Sequence, residues 1–274
     1  MFSVTESLRD NKKKKVILDT DTYNEIDDQF ALALSLAAKE RIELLAVCAA
    51  PFSNPNIVPV PYYRGSTERM PDEKTPIASE AAEKIRELAM QYGSAEERVY
   101  VISIGALTNV SSAITAYPEI CERIAVIWLG SNARWEEGWE FNMWGDLSAA
   151  NALYASKAPL LTVPCSGVAS EMILCPVELE AELKGKSPLG DYLCQLMEEC
   201  IPEWDTKENF QRIIWDVSAI GALLSPGTYT YTVQRRVHTD SSYRFHYGAY
   251  EGTFEHIEKL DCKKIFGLMF DYLR

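Results

Sequence analysis

Lys14-Lys15-Val16-Ile17-Leu18-Asp19-Thr20-Asp21-Thr22-Tyr23-Asn24-Glu25-Ile26-Asp27-Asp28, together with the apolar run that continues to Ala50, decides the fold class. Residues 14–18 read as a short buried strand. Residues 28–39 carry a helical pattern, and Phe30, Leu32, Leu34, Leu36 and the alanines between them make that helix apolar on most sides. A helix pressed onto a sheet has that character. Residues 42–50 read as the next strand, apolar from Leu44 onward. Strand, helix and strand in so short a span form a βαβ unit, and near-continuous apolar strands imply a parallel sheet covered on both faces.

The pattern recurs down the chain. Helices are expected at residues 78–92, 109–116, 147–155, 187–200, 215–224 and 261–273, with Thr108 or Asn109 capping the second of them. Strands are expected at 99–104, 124–129, 159–163 and 228–237. No internal repeat or low-complexity stretch interrupts this order. The reading is therefore α/β: a single domain over residues 1–274 with an open, mainly parallel sheet flanked by helices. The proline-rich loop at 51–63 and the loop at 131–139 are the segments expected beside a site.

Composition narrows the function. The 274 residues include 40 Asp and Glu against 27 Lys and Arg, a net charge of −13. A field of that sign repels phosphate backbones, so a nucleic-acid partner is not expected. No apolar run reaches the length of a membrane span, and the polar start of the chain does not read as a signal peptide. The seven cysteines are scattered without a CxxC pair, and Cys48 and Cys165 lie in apolar runs. They read as buried free thiols in a reducing compartment, which makes the cytoplasm the expected address.

The decisive chemistry lies in the loop after the first strand. Asp19, Asp21, Glu25, Asp27 and Asp28 fall within ten residues that contain no Lys or Arg. They follow the carboxyl end of a strand, where open parallel sheets bind ligands. Brought together without a cation they repel, and a hard divalent ion such as Ca²⁺ or Mg²⁺ resolves the conflict. Capping aspartates, a solvated acidic turn and a buried polar network compete with that reading. Capping suits Asp27 or Asp28, but it does not account for Asp19 and Asp21 at a strand end. A calcium-binding helix-loop-helix needs Gly and Glu where Asn24 and Phe30 stand, so it fails. A haloacid-dehalogenase-type phosphatase would carry Thr where Tyr23 stands, and it falls behind.

At this point the chain resembles the inosine–uridine preferring nucleoside hydrolases. Their opening signature is two alternating aspartates, a turn, and an Asp-Asp pair that starts a helix; the turn at residues 22–26 is longer than usual. Ile104-Gly105-Ala106-Leu107-Thr108-Asn109 resembles the family's Gly-Gly-Leu-Thr-Asn segment, with Ala106 in place of a Gly. Trp139-Glu140-Phe141-Asn142 resembles its Glu-Phe-Asn motif, followed by Asp146 and an Ala-rich helix, and Trp215-Asp216 stands where the family often has His-Asp.

The resemblance implies Ca²⁺-dependent hydrolysis of the N-glycosidic bond of ribonucleosides to ribose and free base. It implies Ca²⁺ held by Asp21, Asp28, Asp216 and the main-chain carbonyl of Ile104, with Asp19 supporting that shell. Asp21 would be the general base toward a metal-activated water. Asp27, Glu140 and Asn142 would bind ribose hydroxyls, with Asn54 as a further contact. Read without the family, Glu140 is a solvent-facing residue of an acidic loop, Asn142 a turn residue or cap, and Asp216 a helix cap. The implied partner is a small ribonucleoside, and the implied assembly a homodimer or homotetramer.

The base half of the site stays open in the sequence. Trp215 replaces a leaving-group His, and is read equally as a base-stacking residue or as core. Tyr23, Trp139, Trp144 and Tyr243 are further aromatic candidates, and His238 and His246 reach the pocket if their segment folds back. A second reading keeps the scaffold and changes the leaving group, to nicotinamide or a modified base. A non-enzymatic one is a calcium-stabilised ribose-binding protein.

Overall fold

Val16 and Leu18 pack into one apolar layer, while Ile17 between them packs into another. The same alternation separates Tyr100 and Ile102 from Val99 and Val101, and Ala125, Ile127 and Leu129 from Ile124, Val126 and Trp128. Successive strand side chains point to opposite faces, so a strand apolar at every position must be buried on both. The chain meets that demand with helices on each side.

The computed structural model describes residues 2–22, 25–50 and 61–274. Among the described residues the elements run α1 (Val4–Leu8), β1 (Lys14–Thr20), α2 (Asp27–Ala37), β2 (Ile42–Ala49), β3 (Tyr62–Tyr63), α3 (Glu80–Tyr92), β4 (Val99–Ser103), α4 (Thr108–Ala116), β5 (Ile124–Leu129), α5 (Phe141–Gly145), α6 (Leu147–Ala155) and β6 (Leu160–Val163). They continue with β7 (Ile173–Leu174), α7 (Pro176–Leu183), α8 (Pro188–Glu199), β8 (Arg212–Ile213), α9 (Val217–Leu224), β9 (Tyr229–Arg235), β10 (Val237–Thr239), β11 (Phe245–Tyr247), β12 (Thr253–Leu260) and α10 (Cys262–Leu273).

Among these, eight strands form one sheet in the order β3-β2-β1-β4-β5-β6-β12-β9. Every neighbouring pair is parallel except β12 with the edge strand β9. Helices α2, α9 and α10 pack together over one face, and α3, α4 and α6 over the other. The chain winds outward from β1 in one direction to β2 and β3, and in the other from β4 to β6. The order therefore reverses between β1 and β4, and the crevice beyond their carboxyl ends is where such sheets bind ligands.

Two departures from the sequence reading have physical reasons. Strand β12 escaped it because Thr253–Leu260 carries Glu255, His256 and Glu258 in place of an apolar run. Glu255 is buried because Thr5 donates to it from both its main-chain N–H and its hydroxyl, at 2.7 and 2.6 Å. His256 is buried with Nδ1 2.7 Å from the Thr162 hydroxyl. The expected cap of α4 is corrected as well: Leu107 holds the cap position with no side-chain bond, and Thr108 and Asn109 are directed elsewhere. No helix among the described residues is long and apolar enough to cross a membrane.

Candidate active site

Each element that meets at the switch point ends in a polar group. Strand β1 delivers Asp19 and, just beyond it, Asp21, and the first turn of α2 delivers Asp27 and Asp28. All four are buried, in a molecule where carboxylates otherwise lie mostly at the surface. Asp19 accepts from the Asn109 amide at 2.9 Å and from the Ser103 hydroxyl at 3.1 Å. Burial still pushes its carboxyl up to about 7 against those two bonds. Thr20 donates a short hydrogen bond to Asp28.

Asp216 stands nearly two hundred residues away in sequence, at the head of α9. It occupies the cap position of that helix, yet its side chain makes no capping bond. One carboxylate oxygen each of Asp27, Asp28 and Asp216 lie within 4.8 Å of one another. Burial is the main cause that raises the pKa of Asp28 and Asp216 far above the ordinary carboxylate range. The next causes are Asp21 and Asp27 for Asp28, and Asp27 and Asp28 for Asp216. Three buried carboxylates this close carry an uncompensated charge that a hard, oxygen-preferring divalent cation neutralises, so the donor set fits such an ion.

A cavity of about 400 Å³ opens over these groups, lined among the described residues by Asp21, Asp27, Asp28 and Asp216 and by the rings of Trp139, Phe141 and Trp215. Ile104, Glu140, Asn142 and Cys165 complete much of the wall between. Two larger-scale features keep this wall in place. Asn142 donates from its side-chain amide to the carbonyls of Leu129 at 2.9 Å and Ile104 at 3.2 Å, bridging the ends of β5 and β4. Glu140 caps α5 with bonds from the Asn142 and Met143 N–H groups, both at 2.8 Å.

The inosine-uridine preferring nucleoside hydrolase family model matches residues 58–257, which is most of the chain. The chain belongs to this family. Nucleoside hydrolases are enzymes that act on ribonucleosides, and that class of small molecule is the substrate class here. The match begins after the acidic loop, so Asp19, Asp21, Asp27 and Asp28 join the site through the geometry above. No curated protein matches the chain in sequence.

Several solved structures share the nucleoside hydrolase fold. An inosine-guanosine nucleoside hydrolase superposes with a TM-score of 0.75 at 14% identity, covering 95% of this chain and 98% of that one. A purine-preferring ribonucleoside hydrolase from Gardnerella vaginalis gives 0.74 at 16% identity, again over 95% and 98% of the two chains. A plant nucleoside hydrolase gives 0.72 at 18% identity over the same shares.

Within this nucleoside hydrolase, the structure assembles most of the residues that the sequence singled out. Asp21, Asp27, Asp28, Asp216, Ile104, Glu140, Asn142 and Trp215 all line one cavity, and Asp19 lies behind it. The compact carboxylate triad contains Asp27 in addition to Asp28 and Asp216, while Asp21 lies close enough for its charge to act on both of the latter. Asn54 and Tyr23 lie outside the described residues. Glu140 is not the solvent-facing residue that its acidic surroundings suggested. It is 5% exposed and also accepts from the Ser131 N–H at 3.0 Å and the Cys165 thiol at 3.3 Å.

The histidines fall elsewhere. His238 and His246 pair across the β10–β11 hairpin, where they meet Glu73 at 3.1 Å and Asp240 at 2.9 Å. The hairpin holds them there, and neither lines the carboxylate cavity. Of the further aromatics, Trp139 lines the cavity, while Trp144 packs on Trp139 and Phe141 without lining it. Asn109 and Cys165 support the site through bonds to Asp19 and Glu140 that sequence reasoning missed. Asn109 stood in the sequence as an apparent cap and as the end of the Leu107-Thr108-Asn109 segment, and Cys165 as a buried thiol.

Proposed function

We propose that this nucleoside hydrolase cleaves the N-glycosidic bond of ribonucleosides to ribose and free base with the help of bound Ca²⁺. One observation carries the ion most directly: the Asp216 side chain makes no capping bond to its own helix, and its carboxylate lies within 4.8 Å of those of Asp27 and Asp28. Asp21, Asp28, Asp216 and the Ile104 carbonyl would hold Ca²⁺, with Asp19 fixing the end of β1 behind them. Ca²⁺ bound there compensates the carboxylate charge and makes a neighbouring water easier to deprotonate.

The chain's own residues supply the rest. Asp21 takes the proton of the attacking water as general base, a contribution of roughly 10²–10⁴-fold. Asp27 accepts a ribose hydroxyl, and the Asn142 side-chain oxygen accepts another while its amide stays on the Leu129 and Ile104 carbonyls. Glu140 serves ribose binding by lining the cavity and by fixing Asn142 and the Ser131 turn. Asn54 adds a further ribose contact, and Trp215 packs against the base. Carboxylates around the sugar favour the positive charge that builds up at C1′ as the bond to the base lengthens. A site built for hydroxyl groups penalises a sugar that lacks them, so ribosides are preferred to 2′-deoxyribosides.

The same reading takes residues 1–274 as one domain, the assembly as a homodimer or homotetramer, and the cytoplasm as the location. The test is release of reducing sugar from inosine and uridine by protein stripped with a chelator and then supplied with Ca²⁺. Activity that disappears on stripping and returns with Ca²⁺ supports the proposal. Activity indifferent to the chelator contradicts the ion, and no release from any ribonucleoside contradicts the reaction.

A further inference from the structure

The cavity is lined by both aromatic rings and carboxylates. Trp139 is 57% exposed and lines the cavity beside Phe141, with their ring centroids 6.2 Å apart. Trp144 contacts both rings, with centroids 6.1 Å from Trp139 and 5.8 Å from Phe141. The cluster already holds one cation: the Arg69 guanidinium sits 4.6 Å from the Trp144 ring centroid. Among the described lining residues there are six carboxylates and no Lys, Arg or His. One of the six, Glu25, is paired with Arg212 at 2.8 Å. A divalent ion on the aspartates leaves the cavity still negative.

The chain has three histidines. All are placed: two in the β10–β11 hairpin and His256 in β12, none of them on the cavity. Imidazole is the side chain best suited to protonate a departing base near neutral pH, and this site has none.

Resting on the nucleoside hydrolase reading, we propose that the cavity favours N-ribosides whose base is a net cation, such as a pyridinium ring without an acidic substituent, and holds that ring against Trp139 and Phe141. Cation–π attraction to the aromatic wall and the net negative field both favour such a ring over a neutral base. The chemistry matches. When the C1′–N bond of a cationic ring breaks, the bonding pair returns to nitrogen and cancels its charge. The ring leaves neutral and needs no proton. Water adds its oxygen to C1′ and gives its proton to Asp21, so the products are ribose, the neutral ring and one proton. A neutral base leaving by the same route departs as an anion unless an acid protonates it.

The test compares nicotinamide riboside with nicotinic acid riboside and inosine, using the full chain in Ca²⁺ at pH 7. The two pyridinium ribosides break the same kind of bond, and only the first carries net positive charge. The expected kcat/KM for nicotinamide riboside is about tenfold or more above each of the others. Trp139→Ala is expected to lower it by about tenfold, a several-fold larger loss than the one it causes for inosine, and Trp139→Phe to restore most of the loss. Equal kcat/KM for the two pyridinium ribosides, or an equal loss for all three substrates in Trp139→Ala, overturns the proposal. If no substrate is hydrolysed the hydrolase reading itself fails. Calorimetric Kd values then decide the selectivity, and equal Kd values for nicotinamide riboside and inosine overturn it.

Discussion

The Asn109 side-chain amide donates to the Asp19 carboxylate at 2.9 Å, and it also reaches the Ala49 carbonyl at 2.8 Å. Its oxygen accepts from the Ser66 N–H at 2.9 Å, so one buried side chain ties the head of α4 to the ends of β1 and β2 and to the chain leading into α3. Replacing it by Leu leaves three buried polar groups without this partner. Asn109→Leu is expected to cost about 2–4 kcal/mol of stability, measured by urea unfolding. A cost below about 1 kcal/mol would show that the network relaxes around the loss.

Gly105 follows Ile104 at the end of β4, and a Cβ placed there would lie 2.9 Å from Asp21 Oδ1 and 3.0 Å from the Ala50 Cβ. The Asp21 carboxylate is the group that can yield. Gly105→Ala therefore displaces the proposed base, with a fall in kcat on the order of 10²-fold and a smaller change in Tm. An unchanged kcat would mean that the carboxylate position does not matter to turnover.

Much of this site was legible because its residue types conflict with their local setting. Aspartates at a strand end, with no cation in sequence, have no local explanation, and the fold supplies a distant one in Asp216. The apolar strands β1, β2, β4, β5 and β6 were equally plain, because burial on both faces leaves an unbroken signal. Strand β12 was not, since its Glu255 and His256 are satisfied by Thr5 and Thr162 from far along the chain. Read without the family, Glu140 looked solvent-facing for the same reason. Four donors from the 131–143 segment and Cys165 make a buried carboxylate tolerable, and none of them can be inferred from the glutamates beside it. Asn54 fell outside the described residues.

The carboxylate triad predicts a stability response to metal. Ca²⁺ at about one hundred times its Kd stabilises the folded state by about 2.7 kcal/mol, seen as a rise in Tm after addition to chelator-stripped protein. Asp216→Asn should abolish most of that rise. A Tm that Ca²⁺ leaves unchanged would contradict the metal assignment.

His256 gives a pH signature of its own. Burial depresses its pKa from 6.5 to about 4, and its Nε2 is buried without a hydrogen-bond partner among the described residues. The folded protein keeps this ring neutral while the unfolded chain takes up a proton below pH 6.5. The stability contributed is therefore complete above about pH 6.5 and falls progressively down to about pH 4, by up to about 3 kcal/mol. The buried aspartates act in the opposite sense, so the comparison must be with His256→Gln. Between pH 7 and 5 the variant should lose less stability in urea than the parent protein. Parallel losses would show that His256 does not carry the effect.

The most direct test of the central claim is turnover by Asp21→Asn with saturating ribonucleoside and Ca²⁺, with substrate binding followed on the same protein by calorimetry. In this variant kcat is expected to fall by at least about 10²-fold while the Kd for the nucleoside changes only severalfold. Turnover at the parental rate would contradict Asp21 as the base that activates water.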